Sequence, residues 1–216
     1  MNQKERIVRA AAAMFLEEGI KSVRMDDIAV RQGVSKRTLY EMFSDKGDLL
    51  EQSLAYHFAD KRRRMMEQTR GASNVIEEIF LILGAMREDD HDKALVRNLK
   101  KFYPAIYHRI VEEGHRFSFG EFNRLLDRGM EQGLLLPDMN KELALMTLVY
   151  TMNALFERRY LEFRLPRIAE SSEPPSEPLS MRMAFEYVTV NFFRGLATHA
   201  GVDMIDELVE NYKKNR

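Results

Sequence analysis

The chain has 216 residues, no cysteine, and 33 Lys and Arg against 34 Asp and Glu, a formal net charge of −1. That length can bury a good core and has room for a small domain plus a larger one. The absence of cysteine excludes disulfides, thiolate catalysis and cysteine-built zinc sites, and is compatible with a reducing cytoplasm. The balanced charge carries no whole-molecule signature of nucleic-acid binding. The useful asymmetry is local, since Lys36 and Arg37 stand together with no acid until Glu41.

Residues 2–18 open on a basic stretch before an apolar run, as a signal peptide would. However, Ile7, Ala10, Ala11, Met14 and Phe15 recur at helical spacing, and Glu17 and Glu18 stand where a cleavage site needs small neutral residues. An amphipathic first helix is the expectation, closed by Gly19. Asp26 and Asp27 then place negative charge in the first turn of a second helix, where its dipole favours it.

In the stretch 26–43, DDIAVRQGVSKRTLYEMF, each residue type fits a helix-turn-helix. Ile28 and Ala29 lie on one face, and the smallness of Ala29 admits a close second helix. Gly33 permits a sharp turn through positive φ. Val34 fills the angle, Ser35 caps the next helix and Leu39 faces inward. Lys36, Arg37, Thr38 and Tyr40 crowd the outward side of the opening turns, the part of such a motif that enters the major groove.

After Ser44 the pattern predicts a long helix over 46–68 with Leu49, Leu50, Leu54 and Phe58 as its buried stripe. The basic run Lys61 to Arg64 near its end is read as offsetting the helix macrodipole rather than as a nucleic-acid contact. A helix over 75–86, a charged connector over 87–93, and a helix over 95–110 broken after Tyr103 by Pro104 follow. Gly114 is expected to separate this from a helix over 117–131, and Gly133 to Asp138 forms a stop and restart. His108 and His115 lack the i, i+4 spacing of a helical metal pair, so neither a metal nor another cofactor is expected.

Residues 143–156, LALMTLVYTMNALF, are apolar nearly all round and must be enclosed on several sides. They are too few for the ~20 residues of a membrane span, and charges flank them. A Pro, Ser and Glu-rich loop is expected between Leu165 and Leu179. A long helix over 180–199 follows, with Met181, Phe185, Val188, Phe192 and Leu196 as a seam, and then a short one over 204–212. No strand pattern emerges, so the fold class is all-α.

The run Ile28, Ala29, Gly33, Val34, Ser35, Leu39, Tyr40, Phe43, Lys46, Leu49 and Leu50 resembles the DNA-binding domain of TetR-family (tetracycline-repressor-like) transcriptional regulators. The resemblance covers roughly the first 50 residues. It implies a three-helix DNA-binding domain over 1–48 and a helical effector-binding and dimerisation domain over 49–216, in a cytoplasmic homodimer that binds a palindromic operator in double-stranded DNA. On this reading Lys36 and Arg37 meet base edges, Thr38 meets a thymine methyl or a phosphate, and Ser35 presents N–H groups to phosphate. Tyr40 and Lys46 match family positions that grip the backbone. Two departures stand out: Val23 and Arg24 replace the usual Thr or Ser opening the second helix, so Arg24 substitutes a charged contact for a hydroxyl one, and Met42 replaces a His or Tyr.

The dimer is expected through helices near 143–160 and 180–199. A small, largely apolar effector would bind among Phe102, Tyr103, Tyr107, Phe117, Phe122, Met146, Tyr150 and Phe156, with Tyr hydroxyls and Asn153 as polar handles, and release the DNA. The alternative is a constitutive or architectural DNA binder without effector. An enzyme is not expected: there is no phosphate-cradling Gly loop, and Arg116 to Gly120 lacks the first glycine of a nucleophile elbow.

Overall fold

The computed structural model describes residues 2–85, 90–156 and 181–214, and these form ten helices. In chain order they are α1 (Gln3–Glu17), α2 (Met25–Gln32), α3 (Lys36–Met42), α4 (Lys46–Thr69), α5 (Val75–Ala85), α6 (Asp90–Phe102), α7 (Pro104–Glu131), α8 (Lys141–Phe156), α9 (Met181–Leu196) and α10 (His199–Lys214). The only β pairing among the described residues is an isolated antiparallel bridge between Leu135 and Ala197. No described helix is long and apolar enough to cross a membrane.

The chain divides into two compact units, Met1–Gly71 with Gly84–Ser118, and Ala72–Leu83 with Phe119–Arg216. The first unit is built around α1. Asn2 caps it, its side chain accepting from Glu5 N–H while the Glu5 carboxylate accepts from Asn2 N–H, which satisfies two free donors of the first turn. The apolar face of α1 (Ile7, Ala11, Met14, Phe15) is buried against Ile28 and Ala29 of α2, Leu39 of α3, and Leu49, Leu50 and Leu54 of α4. Leu95 and Leu99 of α6 and Ile106 of α7 close the same core. Burial of each of the larger of these side chains is worth about 1.5–3 kcal/mol. Phe58, expected in the buried stripe of α4, is only half-buried at its edge.

In the second unit, Glu78 on α5 is buried and accepts from Arg124 at 3.0 Å and Arg128 at 2.6 Å on α7, while Val75 N–H donates to Gln132. A buried carboxylate survives here because two guanidiniums meet it. After Gly133 (φ 68°), residues 134–136 run beside 196–198: Thr198 N–H donates to the Leu134 carbonyl at 3.0 Å and Leu136 N–H to that of Leu196 at 2.9 Å.

Four sequence expectations are corrected. Gly114 does not interrupt α7, which is continuous from Pro104 to Glu131; a single glycine in a helix interior costs only about 1 kcal/mol, and the flanking pattern outweighs it. Residues 90–93 open α6 rather than extending the charged connector. The helix expected over 180–199 ends at Leu196, because Ala197 and Thr198 pair with the 134–136 turn, and the last helix then begins at His199 rather than 204. Finally, α8 is not enclosed all round within one chain: Ala144, Leu145, Leu148 and Met152 are buried, while Leu143 and Tyr150 are 60% and 68% exposed. The loop expected between 165 and 179 lies outside the described residues.

Candidate nucleic-acid interface

The angle between α2 and α3 is set by four residues. α2 ends at Gly33, which adopts φ 65°, ψ 35°, and Val34 N–H reaches back 3.0 Å to the Ala29 carbonyl. A side chain at Gly33 would find space but not a comfortable backbone, so the turn needs glycine for its φ. Ser35 is extended and caps α3, its Oγ accepting from Thr38 N–H at 2.9 Å. Leu39 is fully buried, which fixes the rotation of α3 and turns Arg37 and Tyr40 outward, 89% and 45% exposed.

The outward residues are not bare. Lys36 Nζ lies 2.8 Å from Asp26 Oδ1, and this pairing raises the lysine pKa above its ordinary value through the hydrogen bond first and the charge second. Arg37 Nε donates to Glu41 Oε1 at 2.9 Å across one helical turn. The local positive charge of Lys36 and Arg37 is therefore partly offset in space, by Glu41 and also by Asp26. Both bridges are exposed, and such pairs are worth about 0–1 kcal/mol, so a phosphate or base edge can replace either carboxylate. The i, i+4 spacing could have revealed Glu41, whereas Asp26 meets Lys36 only because the turn folds α3 back onto the start of α2.

Arg24 stands at the N-cap of α2, its backbone N–H donating to Asp27 Oδ2 at 2.9 Å and its side chain exposed. Lys46 opens α4 and is partly buried; desolvation lowers its pKa, with the nearby Asp27 carboxylate opposing. Asp45 caps the same helix through Asp48 N–H at 2.9 Å. One basic residue escaped the sequence reading: Lys4 on α1, whose Nζ sits 5.2 Å from the centre of the Phe43 ring. By contrast, Arg62 pairs with Glu113, Arg63 with Asp60 and Glu67, and Arg64 with Asp60; α4 runs on to Thr69 with no basic residue in its last turn, so ion pairs take the place of the expected offset of the macrodipole.

The residues named for an effector fall in both units. In the first, Tyr103 and Tyr107 pack on the α1 core, Phe102 carries the Lys21 and Lys101 ammoniums, and Phe117 faces the Arg62 guanidinium at 5.1 Å. In the second, Phe122 is buried and Tyr150 exposed, and Met146 borders a depression of about 440 Å³ with Phe119, Asn123, Lys141, Glu142 and Leu145. The side chains of Asn153 and Phe156 lie outside the description. Among the described residues no cluster of His, Asp or Glu has the arrangement of a metal site.

Residues 7–53 match the model of bacterial regulatory proteins of the tetR family. An uncharacterized HTH-type transcriptional regulator of Mycobacterium tuberculosis is 31% identical over 85 residues, 39% of this chain and 45% of that protein. The match thus spans about half the length of that relative. The HTH-type transcriptional repressor KstR2 of the same organism is 22% identical over 148 residues, 66% of this chain and 74% of the repressor. In fold, the chain is similar to a transcriptional regulator from Saccharomonospora viridis in complex with choline, with TM-score 0.65, 14% identity and 91% and 98% of the two chains covered. It is also similar to a TetR-family regulator from Cytophaga hutchinsonii, with TM-score 0.65, 12% identity and 90% and 94% covered.

Proposed function

We propose that the chain, whose residues 7–53 match the tetR-family model, is a sequence-specific, dimeric DNA-binding repressor of that family whose operator affinity falls when a small molecule binds. The observation that carries the reading is the Gly33 to Leu39 geometry. A left-handed turn, a Ser35 cap and a buried Leu39 hold a seven-residue helix so that Arg37 and Tyr40 project from its outer face. On this proposal residues 1–48 read DNA and 49–216 serve effector binding and dimerisation. Arg37 and Lys36 address base edges, Ser35, Thr38, Tyr40, Lys46 and Arg24 address phosphates, and Thr38 also comes within reach of a thymine methyl.

The dimer is supported by apolar surface that one chain leaves uncovered. Leu143, Met146 and Tyr150 on α8 are exposed, as is Tyr187 on α9, while Phe185, Val188, Phe192 and Leu196 of the expected seam are only half-buried. Two such faces per subunit suit a four-helix packing about a two-fold axis.

Release by an effector requires tighter binding to the DNA-incompetent arrangement, and a coupling of about 1–3 kcal/mol would shift DNA affinity some 5–150-fold. The depression lined by Phe119, Leu145 and Met146 together with Asn123, Lys141 and Glu142 is the place we assign to such a ligand. The test is selection of duplexes from a random pool. The expected result is a consensus with dyad symmetry, each half contributing a few base pairs; an enriched pool without a dyad, or no enrichment, overturns the reading.

A further inference from the structure

Three lysines gather on aromatic faces outside the helix-turn-helix. Lys21 Nζ stands 3.7 Å from the centre of the Phe102 ring and Lys101 Nζ 5.4 Å from the same centre, while Lys100 Nζ is 5.8 Å from that of Tyr107. Each ring attracts its cation through the negative potential of its face. Two ammoniums sharing one ring nevertheless repel each other, and among the described residues none of the three has a carboxylate in ion-pair reach. Several of the first unit's other cations are matched: Arg31 with Glu18, Lys36 with Asp26, Arg62 with Glu113, and Arg109 with Glu51. Among the described residues the cluster is thus a positive patch without an ion-paired carboxylate, which an external anion would relieve.

Its place in the fold says which anion. Phe102 ends α6, and the next residues, Tyr103 and Ile106, come within 3.9 Å of where a side chain on Gly47 would begin. Gly47 follows Lys46 at the start of α4, and Lys21 lies three residues before Arg24, the N-cap of α2. The chain segments that carry the patch therefore adjoin those that carry the two basic positions proposed to hold the DNA backbone, yet most of the patch comes from a part of the chain that begins some 50 residues after the motif ends. We propose that Lys21, Lys100 and Lys101 form a second phosphate-binding surface, at the α6–α7 junction, which grips the DNA backbone outside the base pairs read by α3. This rests on the DNA-binding reading above. Lysine suits the task, because its flexible stem lies on an aromatic ring while its compact charge meets a phosphate without demanding one geometry.

Salt dependence tests it directly. Each phosphate neutralised on duplex DNA contributes about 0.9 to the slope of log affinity against log salt. The probes are one duplex selected by the wild-type protein and one random-sequence duplex of equal length. As a dimer, K21Q/K100Q/K101Q lacks six lysines and should bind both duplexes more weakly, with the slope lower by roughly 5. K21R/K100R/K101R should keep the wild-type slope, and Arg37→Ala should relax sequence preference at one position per half-site while retaining the contribution of the patch. Equal thermal midpoints for the glutamine variant and wild type would show that the exposed substitutions leave the fold intact. If Arg37→Ala behaves as stated and the glutamine variant keeps the full slope, the patch is wrong and the DNA reading stands. If the wild type binds neither duplex, both fall.

Discussion

Lys36 at the start of α3 and Asp26 in the first turn of α2 form an ion pair 2.8 Å long that spans the helix-turn-helix on its exposed side. The carboxylate holds the lysine in place in the free protein and would face the phosphates in a complex. Removing it should help binding more than it harms folding. Asp26→Asn is expected to strengthen binding to all duplexes, because a repulsive charge is lost, and most on the selected one, because Lys36 is freed for its base edge. The stability cost should stay within about 0.3–1 kcal/mol, the worth of an exposed acid at a helix N-terminus. Competition binding on selected and random duplexes checks this; weaker binding would show that Asp26 positions Lys36 for a base contact.

Arg37 and Tyr40 should fail differently. Arg37→Ala is expected to cost about 1–3 kcal/mol on the selected site and to relax preference at one position per half-site, as loss of a base contact does. Tyr40→Phe, which removes one exposed hydroxyl, should weaken selected and random duplexes alike. Affinities measured for each variant against single-base variants of the selected duplex separate the two. A uniform loss for Arg37→Ala would make it a phosphate contact.

Much of this site is legible in the sequence because its determinants are local. The Gly33 turn, the Ser35 cap three residues before the donor it satisfies, and the inward Leu39 are each fixed by neighbours within one helical turn, so spacing and residue type suffice. What was not legible depends on distant chain. Lys36 meets Asp26 across the turn, and Lys21 meets Phe102 from a distant part of the chain. The same holds for α9, whose periodicity continues to His199 while the stop at Leu196 is imposed by the 134–136 turn. Gly114 failed in the opposite sense: a local breaker signal was overridden by the pattern on both sides of it.

Asp48 makes stability pH-dependent near the DNA-binding motif. Its carboxylate accepts from Ser44 N–H at 2.9 Å and from the Gln52 amide at 2.6 Å, and these bonds, that from the Ser44 backbone foremost, hold its pKa below the ordinary carboxylate value. A depressed folded pKa means that the contribution is fully present above the unfolded value, about 3.9, and is lost as pH falls through the lower folded value. Asp48→Asn should flatten the loss of thermal midpoint with acid below about pH 4 and should lower stability at neutral pH by about 1 kcal/mol, since the amide oxygen can replace only part of the acceptor set. A wild-type acid profile retained in the variant would move the titration elsewhere.

Two glycines should respond to alanine with opposite sign. Gly114 sits inside α7, outside the left-handed region, and a side-chain carbon there would meet nothing within 4 Å. Gly114→Ala should therefore stabilise by up to about 1 kcal/mol, through helix propensity and a less flexible unfolded chain. Gly201, in the first turn of α10, is in a different position: the added carbon would lie 2.0 Å from the Leu134 carbonyl oxygen and 3.0 Å from the Ala197 side chain. The oxygen is backbone and already accepts from Thr198 N–H, so relief requires moving the 134–136 turn off 196–198 and breaking the bonds that end α9. Gly201→Ala is expected to cost at least the 1–3 kcal/mol typical of overpacking. Denaturant titration of both variants, followed by helical signal, gives the two midpoints. A midpoint for Gly201→Ala equal to wild type would mean that the close approach of α10 to Leu134 is not what ends α9, and a lowered midpoint for Gly114→Ala would restore the break expected there.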